Sequence, residues 1–196
     1  MSVRQIAIVG YGIIGQQIRH FLEEAHKGGA IEFNYFDDQL AAKGEEHAYP
    51  FDDYQDSQYD NLEFYIGLGY KHLCLRNKIS ATLMQMNRRF PSIIHHTAYV
   101  HPSVSIGYGS VIYPMCNIGF SVRIGNGTII NKSCTISHDT ELGNGSFFIP
   151  FSNLLWRGKT GRFFFCRNWQ YRSQRGSDWK PRHGGDRKCH NTGYSG

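Results

Sequence analysis

The chain has 196 residues, 40% hydrophobic and 19% charged, enough for one domain with a real core or for two small ones. No apolar run reaches the ~18 residues of a membrane helix, and the start MSVRQIAIVG lacks the parts of a secretory signal. A soluble cytoplasmic protein with no membrane partner is expected. The net charge of +5 would invite nucleic acid, but residues 1–156 carry 11 basic against 14 acidic side chains, and residues 157–196 carry 10 against 2. The positive excess belongs to the tail alone, so no nucleic-acid partner is expected. Five scattered cysteines (Cys74, Cys116, Cys134, Cys166, Cys189) form no CxxC pair and read as reduced thiols, indicating neither a disulfide framework nor a metal site.

Residues 5–9, QIAIV, form the short apolar run of a buried parallel strand. The run enters Gly10-Tyr11-Gly12-Ile13-Ile14-Gly15, a complete GxGxxG, and residues 16–25 follow with Ile18, Phe21, Leu22 and Ala25 at helical spacing. A second strand, Ile31 to Phe36, ends in Asp37 and Asp38. Strand, glycine turn, helix, strand, acid is the order of a nucleotide-binding βαβ unit. Gly10, Gly12 and Gly15 would let phosphates approach the N–H groups at a helix start, and Asp37 would accept from ribose hydroxyls. The bland reading is a tight turn. A third strand at Leu62 to Gly67 and a helix from Ile79 to Phe90 complete a unit of half the usual dinucleotide-domain size. Asp52, Asp53, Asp56 and Asp60 read as a solvated acidic loop.

From Pro91 the rhythm changes. Ile94, Val100, Ile106, Ile112, Ile118, Ile124, Ile130, Ile136, Leu142, Phe148 and Leu154 recur every six residues without a slip. Small residues recur four places on, among them Ser110, Cys116, Thr128, Cys134 and Ser146. Neither a helix nor an alternating strand has this period. Short strands stacked into a β-helix do, with the repeated apolar residue facing the shared core.

The motifs IVGYGIIG, NYFDD, IIHHTAYVHPSVSIGYGSVI and IGNGTIINKSCTISHDTELGNG together resemble the hexapeptide-repeat acyltransferases. Within them the chain is similar to the sialic acid O-acetyltransferase and UDP-4-amino-sugar N-acetyltransferase family of bacterial polysaccharide and glycan pathways. Members more often read GxGGHG where this chain reads GYGIIG. The resemblance implies an α/β plus β fold: a small Rossmann-like sugar-nucleotide-binding domain (residues 1–90), then a left-handed parallel β-helix (91–155), truncated, then an aberrant basic tail (156–196). It implies acetyl-CoA as co-substrate, a nucleotide-linked sugar as acceptor, and a homotrimer with active sites between subunits.

Of the ten histidines, His138 stands out. It lies in Ile136-Ser137-His138-Asp139 at the turn of a hexad, where a side chain projects outward. Acetyl transfer needs a base near neutrality to take the nucleophile's proton, and an adjacent carboxylate can orient the imidazole. The resemblance assigns base and orienting roles to His138 and Asp139. The alternative is a surface histidine in a coil corner. Asn131 matches a family asparagine and reads equally as a substrate ligand or a turn residue. His95, His96 and His101 fall in the first coil. They raise a γ-class carbonic anhydrase alternative, against which only His138 is supplied by the following coils.

After Leu154 the period vanishes into a basic stretch with Trp156, Trp169 and Trp179. Allowed codons for this stretch, read one base later, give GGVKLGDFFFAGIGN and, further on, GIGNVITQDIP. That restores the six-residue step and the family's closing motif. Residues from about 155–156 onward are therefore read as a frameshifted translation replacing the coils that would line acetyl-CoA, so no cofactor-binding residue is assigned. Two rivals to an active acetyltransferase remain. One is a non-catalytic β-helix scaffold or inactive remnant, and the other is a small NAD-dependent oxidoreductase argued from GxGxxG alone.

Overall fold

The computed structural model describes residues 3–154, 159–160 and 165–166. Four parallel strands form the first layer: β1 (Arg4–Val9), β2 (Ile31–Phe36), β3 (Ala48–Tyr49) and β4 (Glu63–Ile66), in the order β3-β2-β1-β4. The apolar run of β1 makes it the central strand: Ile6, Ala7, Ile8 and Val9 are wholly buried between neighbours on both sides. Helix α1 (Ile13–Ala25) follows the glycine turn and buries Gly15, Ile18 and Leu22. A five-residue helix, α2 (Asp38–Ala42), and helix α3 (Leu73–Gln85) complete this part.

Helix α3 starts six residues before the expected Ile79 and ends five before Phe90. Its buried face is Arg76, Ile79, Ser80 and Leu83, an i, i+3, i+4, i+7 stripe whose polar members hide from hydrophobic periodicity. The acidic loop contains two 3₁₀ turns, Phe51–Gln55 and Ser57–Tyr59, and Asp60 reaches Arg88 at 2.6 Å.

From Ile93 the chain winds into coils of 18 residues, each contributing one two-residue strand to each of three parallel sheets. The first sheet stacks Ile93–Ile94, Val111–Ile112, Ile129–Ile130 and Phe147–Phe148. The second stacks Tyr99–Val100, Asn117–Ile118, Thr135–Ile136 and Asn153–Leu154, and the third Ser105–Ile106, Arg123–Ile124 and Glu141–Leu142. This is the β-helix expected from the six-residue period. Ladder residues from Ile112 to Leu154 are at most 4% exposed.

The small residues line the corners. Ser92, Ser110 and Thr128 donate side-chain hydroxyls to Gly107, Gly125 and Gly143 carbonyls at 2.6–3.2 Å, and Ser92 and Ser110 also accept an N–H from the coil above. Every sixth residue from Gly109 to Phe151 has positive φ, Asp139 among them. The outward side of the first sheet is covered by the helical part. Val111, Ile129 and Phe147 are buried, Tyr70 packs on Phe147 at 6.0 Å and Phe21 on Tyr113 at 5.2 Å.

The ladder does not stop at Leu154. Lys159 bridges Glu141, the Thr160 N–H donates to Glu141 O at 2.9 Å, and Phe165–Cys166 pairs in parallel with Phe147–Phe148. The expectation of truncation there is corrected at these two places, because parallel pairing uses backbone groups that any residue but proline supplies. The remainder of the frameshift reading, residues 155–158, 161–164 and 167–196, lies outside the described residues. Cys116 and Cys134 are buried thiols that donate to the Asn131 and Ile149 carbonyls, whereas Cys74 is disulfide-bonded, which corrects the reading of thiols throughout, since sequence spacing does not report spatial approach. Among the described residues no helix is long and apolar enough to cross a membrane.

Candidate active site

The glycine turn is built by close backbone approach. Gly10 has φ +82 and its N–H donates to Phe36 O at 2.9 Å. A Cβ on Gly15 would stand 2.5 Å from Gly10 O, and one on Gly67, at the end of β4, would collide with the same oxygen. Three glycines thus let the turn, the start of α1 and the tip of β4 touch. Gly12 is the N-cap of α1, with no side-chain cap and open space where a Cβ would be. The first turn of a 13-residue helix therefore presents uncapped N–H groups beside an open approach, the arrangement that receives anions.

Asp37 lies at this turn, with a structural duty of its own. Its Oδ2 accepts from Tyr11 N–H at 2.8 Å, and its Oδ1 accepts from Gln39 and Leu40 N–H, capping α2. The carboxylate thus ties the glycine turn to the next helix, and Oδ2, which accepts a single N–H, keeps a lone pair for a further donor. Arg19 joins the rim by donating to Tyr35 Oη at 2.9 Å and Tyr11 Oη at 3.4 Å, with the two tyrosine rings 4.3 Å apart.

His138 and Asp139 project from the corner between the second and third sheets, both about half exposed. His138 Nδ1 lies 3.0 Å from Asp139 Oδ2. An ionised carboxylate only accepts, so Nδ1 carries the proton in this pair. Asp139 adopts φ +56 at the corner, and its N–H donates to Phe120 O at 2.9 Å. Phe120, 55% exposed one coil earlier, lies 5.1 Å edge-to-face from His101.

Asn131 is not brought to this corner. It stands at the one between the first and second sheets, and its Oδ1 accepts from Lys132 N–H at 2.9 Å, a turn arrangement. The glycine turn is also elsewhere: the helical part covers the first sheet, opposite the corner that carries His138.

Two of the three first-coil histidines, His95 and His101, are corner caps. His95 Nδ1 accepts from Thr97 N–H and His101 Nδ1 from Ser103 N–H, both at 3.2 Å. Glu24, His95 and His96 offer donor atoms within 4.8 Å of one another. However, with Nδ1 accepting, His95 Nε2 bears hydrogen and points at Glu24 Oε2, 3.1 Å away, so the pair is a hydrogen bond joining α1 to the first coil.

Sequence reasoning passed over Gly67 and Arg76. Glycine after a strand is unremarkable without its partners, and an arginine in a helix reads as surface. Arg76 is in fact 1% exposed, and burial lowers its pKa to about 10.

No protein-family profile and no characterised protein sequence matches the chain. Solved structures do. The acetyltransferase domain of PglB from Neisseria gonorrhoeae FA1090, in complex with acetyl coenzyme A, is 21% identical with a TM-score of 0.67, covering 86% of this chain and 84% of that one. WeeI from Acinetobacter baumannii AYE is 17% identical, TM-score 0.65, over 78% and 72% of the two chains. PerB from Caulobacter crescentus, in complex with CoA and GDP-perosamine, is 21% identical, TM-score 0.61, over 81% and 77%. At these identities the similarity is one of fold, and it spans both the parallel sheet and the coils: the chain has the stacked β-helix architecture of acetyltransferase structures.

Proposed function

We propose that this protein is an acetyl-CoA-dependent acetyltransferase acting on a nucleotide-linked sugar, with His138 as general base. The observation that carries the reading is the His138–Asp139 pair at 3.0 Å on an exposed coil corner, in a fold shared with structures that hold acetyl coenzyme A, or CoA with GDP-perosamine. In the reaction, the sugar's amine or hydroxyl attacks the thioester carbonyl carbon while His138 Nε2 takes its proton. The C–S bond then breaks and CoA leaves as the thiol, receiving that proton. Asp139 holds the ring by Nδ1 and stabilises the imidazolium that forms.

The amino-terminal part is read as a Rossmann-like unit holding the nucleotide, with phosphates at Gly10, Gly12 and Gly15 and the ribose near Asp37. It is a domain of residues 1–90 ahead of a left-handed β-helix domain. Because the turn and His138 lie on opposite sides of one chain's coils, the reading calls for a second copy to bring an acceptor to each histidine, as a homotrimer would. Residues 156–196 are read as the product of a shifted frame, so the wall for acetyl-CoA is assigned to no residue of this chain.

The test is turnover of acetyl-CoA with nucleotide amino sugars, using the chain and a frame-restored version. The restored protein should turn over, and His138→Ala should lower its rate by a factor on the order of 10²–10⁴ while its circular dichroism stays unchanged. Unaltered turnover in the alanine variant would remove the base assignment. A restored protein that binds nucleotide sugars yet never transfers acetyl would favour the scaffold.

A further inference from the structure

Arg76 is wholly buried on the inner face of α3, and among the described residues no carboxylate lies within ion-pair distance of it. Its guanidinium is held by four carbonyls from four places. Nη1 donates to Ile66 O at 2.5 Å and Leu68 O at 3.4 Å, Nη2 to Gly109 O at 3.2 Å, and Nε to Gly127 O at 3.4 Å. Ile66 and Leu68 flank Gly67, the residue packed against Gly10 and Gly15 of the glycine turn. Gly109 and Gly127 are equivalent positive-φ corners of successive coils. One side chain therefore fastens the turn's buttress to the β-helix.

A buried cation without a counter-charge carries a desolvation cost, and carbonyl dipoles offset only part of it. Tyr113 interacts with the guanidinium, but burial pushes its hydroxyl up to about 12, so it stays neutral. A methionine would fill the same space without a charge to desolvate. What the charge adds is a positive potential behind Gly67, the residue packed on Gly10 and Gly15 at the uncapped start of α1, in a low-dielectric setting that salt screens poorly.

The geometry points to Arg76 as a positioning and specificity-determining residue for the anionic part of the ligand at the glycine turn, favouring a diphosphate over an uncharged nucleoside. This rests on the reading of that turn as a nucleotide site. Arg76 touches no ligand atom. It acts through the Ile66–Leu68 backbone and through its field.

The test is calorimetric titration of the full 196-residue chain with UDP and GDP and with uridine and guanosine, at low and high salt. The wild type should prefer a diphosphate over its nucleoside, with a ratio that persists at high salt. Arg76→Met should weaken diphosphate binding on the order of tenfold or more and leave the nucleoside within about threefold. Arg76→Lys keeps the charge but cannot span four carbonyls, and it should recover most of the diphosphate preference. Thermal unfolding identifies any variant that fails to fold, and the wild-type salt series stands without variants. Three results would overturn the inference while leaving the nucleotide site intact: equal losses for diphosphate and nucleoside in Arg76→Met, lysine and methionine variants that behave alike, or a wild-type preference abolished by salt. A wild type that binds none of the four ligands would instead overturn the nucleotide reading itself, and the inference with it.

Discussion

Asp139 carries two constraints that its identity satisfies together. Its backbone must adopt φ +56, the left-handed corner also taken by Gly109, Met115, Ser121, Gly127, Ser133, Gly145 and Phe151. Its side chain must meet His138 Nδ1. Asparagine and aspartate visit this region readily, whereas other residues pay about 1–2 kcal/mol there. Asp139→Asn should therefore unfold within about 0.5 kcal/mol of wild type and, under the proposed mechanism, slow acetyl transfer by the frame-restored protein less than His138→Ala does. Asp139→Val should lose about 1–2 kcal/mol of stability from backbone strain alone. Denaturant titration beside turnover separates the two effects, and an Asn variant as unstable as the Val variant would show that the carboxylate, not the backbone, holds the corner. The pair itself was legible in the sequence because adjacency needs no tertiary information. That the corner is left-handed was not, since Met115 and Phe151 occupy equivalent corners.

Among the elements, β4 is fastened through Glu63. Its carboxylate receives Arg4 from β1 at 3.0 and 2.5 Å, Arg89 at 2.6 Å and the Tyr65 hydroxyl at 3.3 Å. Burial alone would raise the Glu63 pKa, but the hydrogen bond and charge of Arg4, with the charge of Arg89, outweigh it and hold the carboxyl below its usual range. A depressed carboxylate contributes stability that is present above the unfolded value, about 4.3, and is lost as pH falls through the folded value. The melting temperature should hold from pH 7 to about 5 and drop below about 4, and Glu63→Gln should flatten that drop while lowering stability at neutral pH. Thermal unfolding across pH checks both arms, and a Glu63→Gln profile that follows wild type would assign the acid limb to other groups. The existence of β1, α1 and β2 followed from apolar period and the glycine turn. Helix α2 did not, because a five-residue helix has no period to read and depends on the cap supplied by Asp37.

For the whole molecule, residues equivalent in the repeat differ in energetic weight. Ile130 lies inside the third coil at 0% exposure, between Ile112 and Phe148, whereas Ile94 in the first coil is 46% exposed. Each coil contacts only its neighbours, so interior positions carry the stack. Ile130→Ala should cost about 2–5 kcal/mol, and Ile94→Ala well under about 1 kcal/mol. Equal losses in urea titration would mean that the first coil is covered in solution.

The sequence alone determined the β-helix, the order strand-turn-helix-strand ahead of it, and the His138–Asp139 pair. Each is written in local signals: a six-residue period, glycines at fixed offsets, and two adjacent residues. Only the tertiary structure decided that Asp37 is already engaged by three backbone N–H groups, that Asn131 and His138 stand at different corners, and that the outer side of the first sheet is covered. It also decided that Arg76, from a helix, closes the gap between Gly67 and the coils. The physical reason is shared. A period reports which way a residue faces along its own chain, but whether that face meets water, a carbonyl or another element depends on segments far off in sequence, and for Arg76 those lie 8 to 51 residues away.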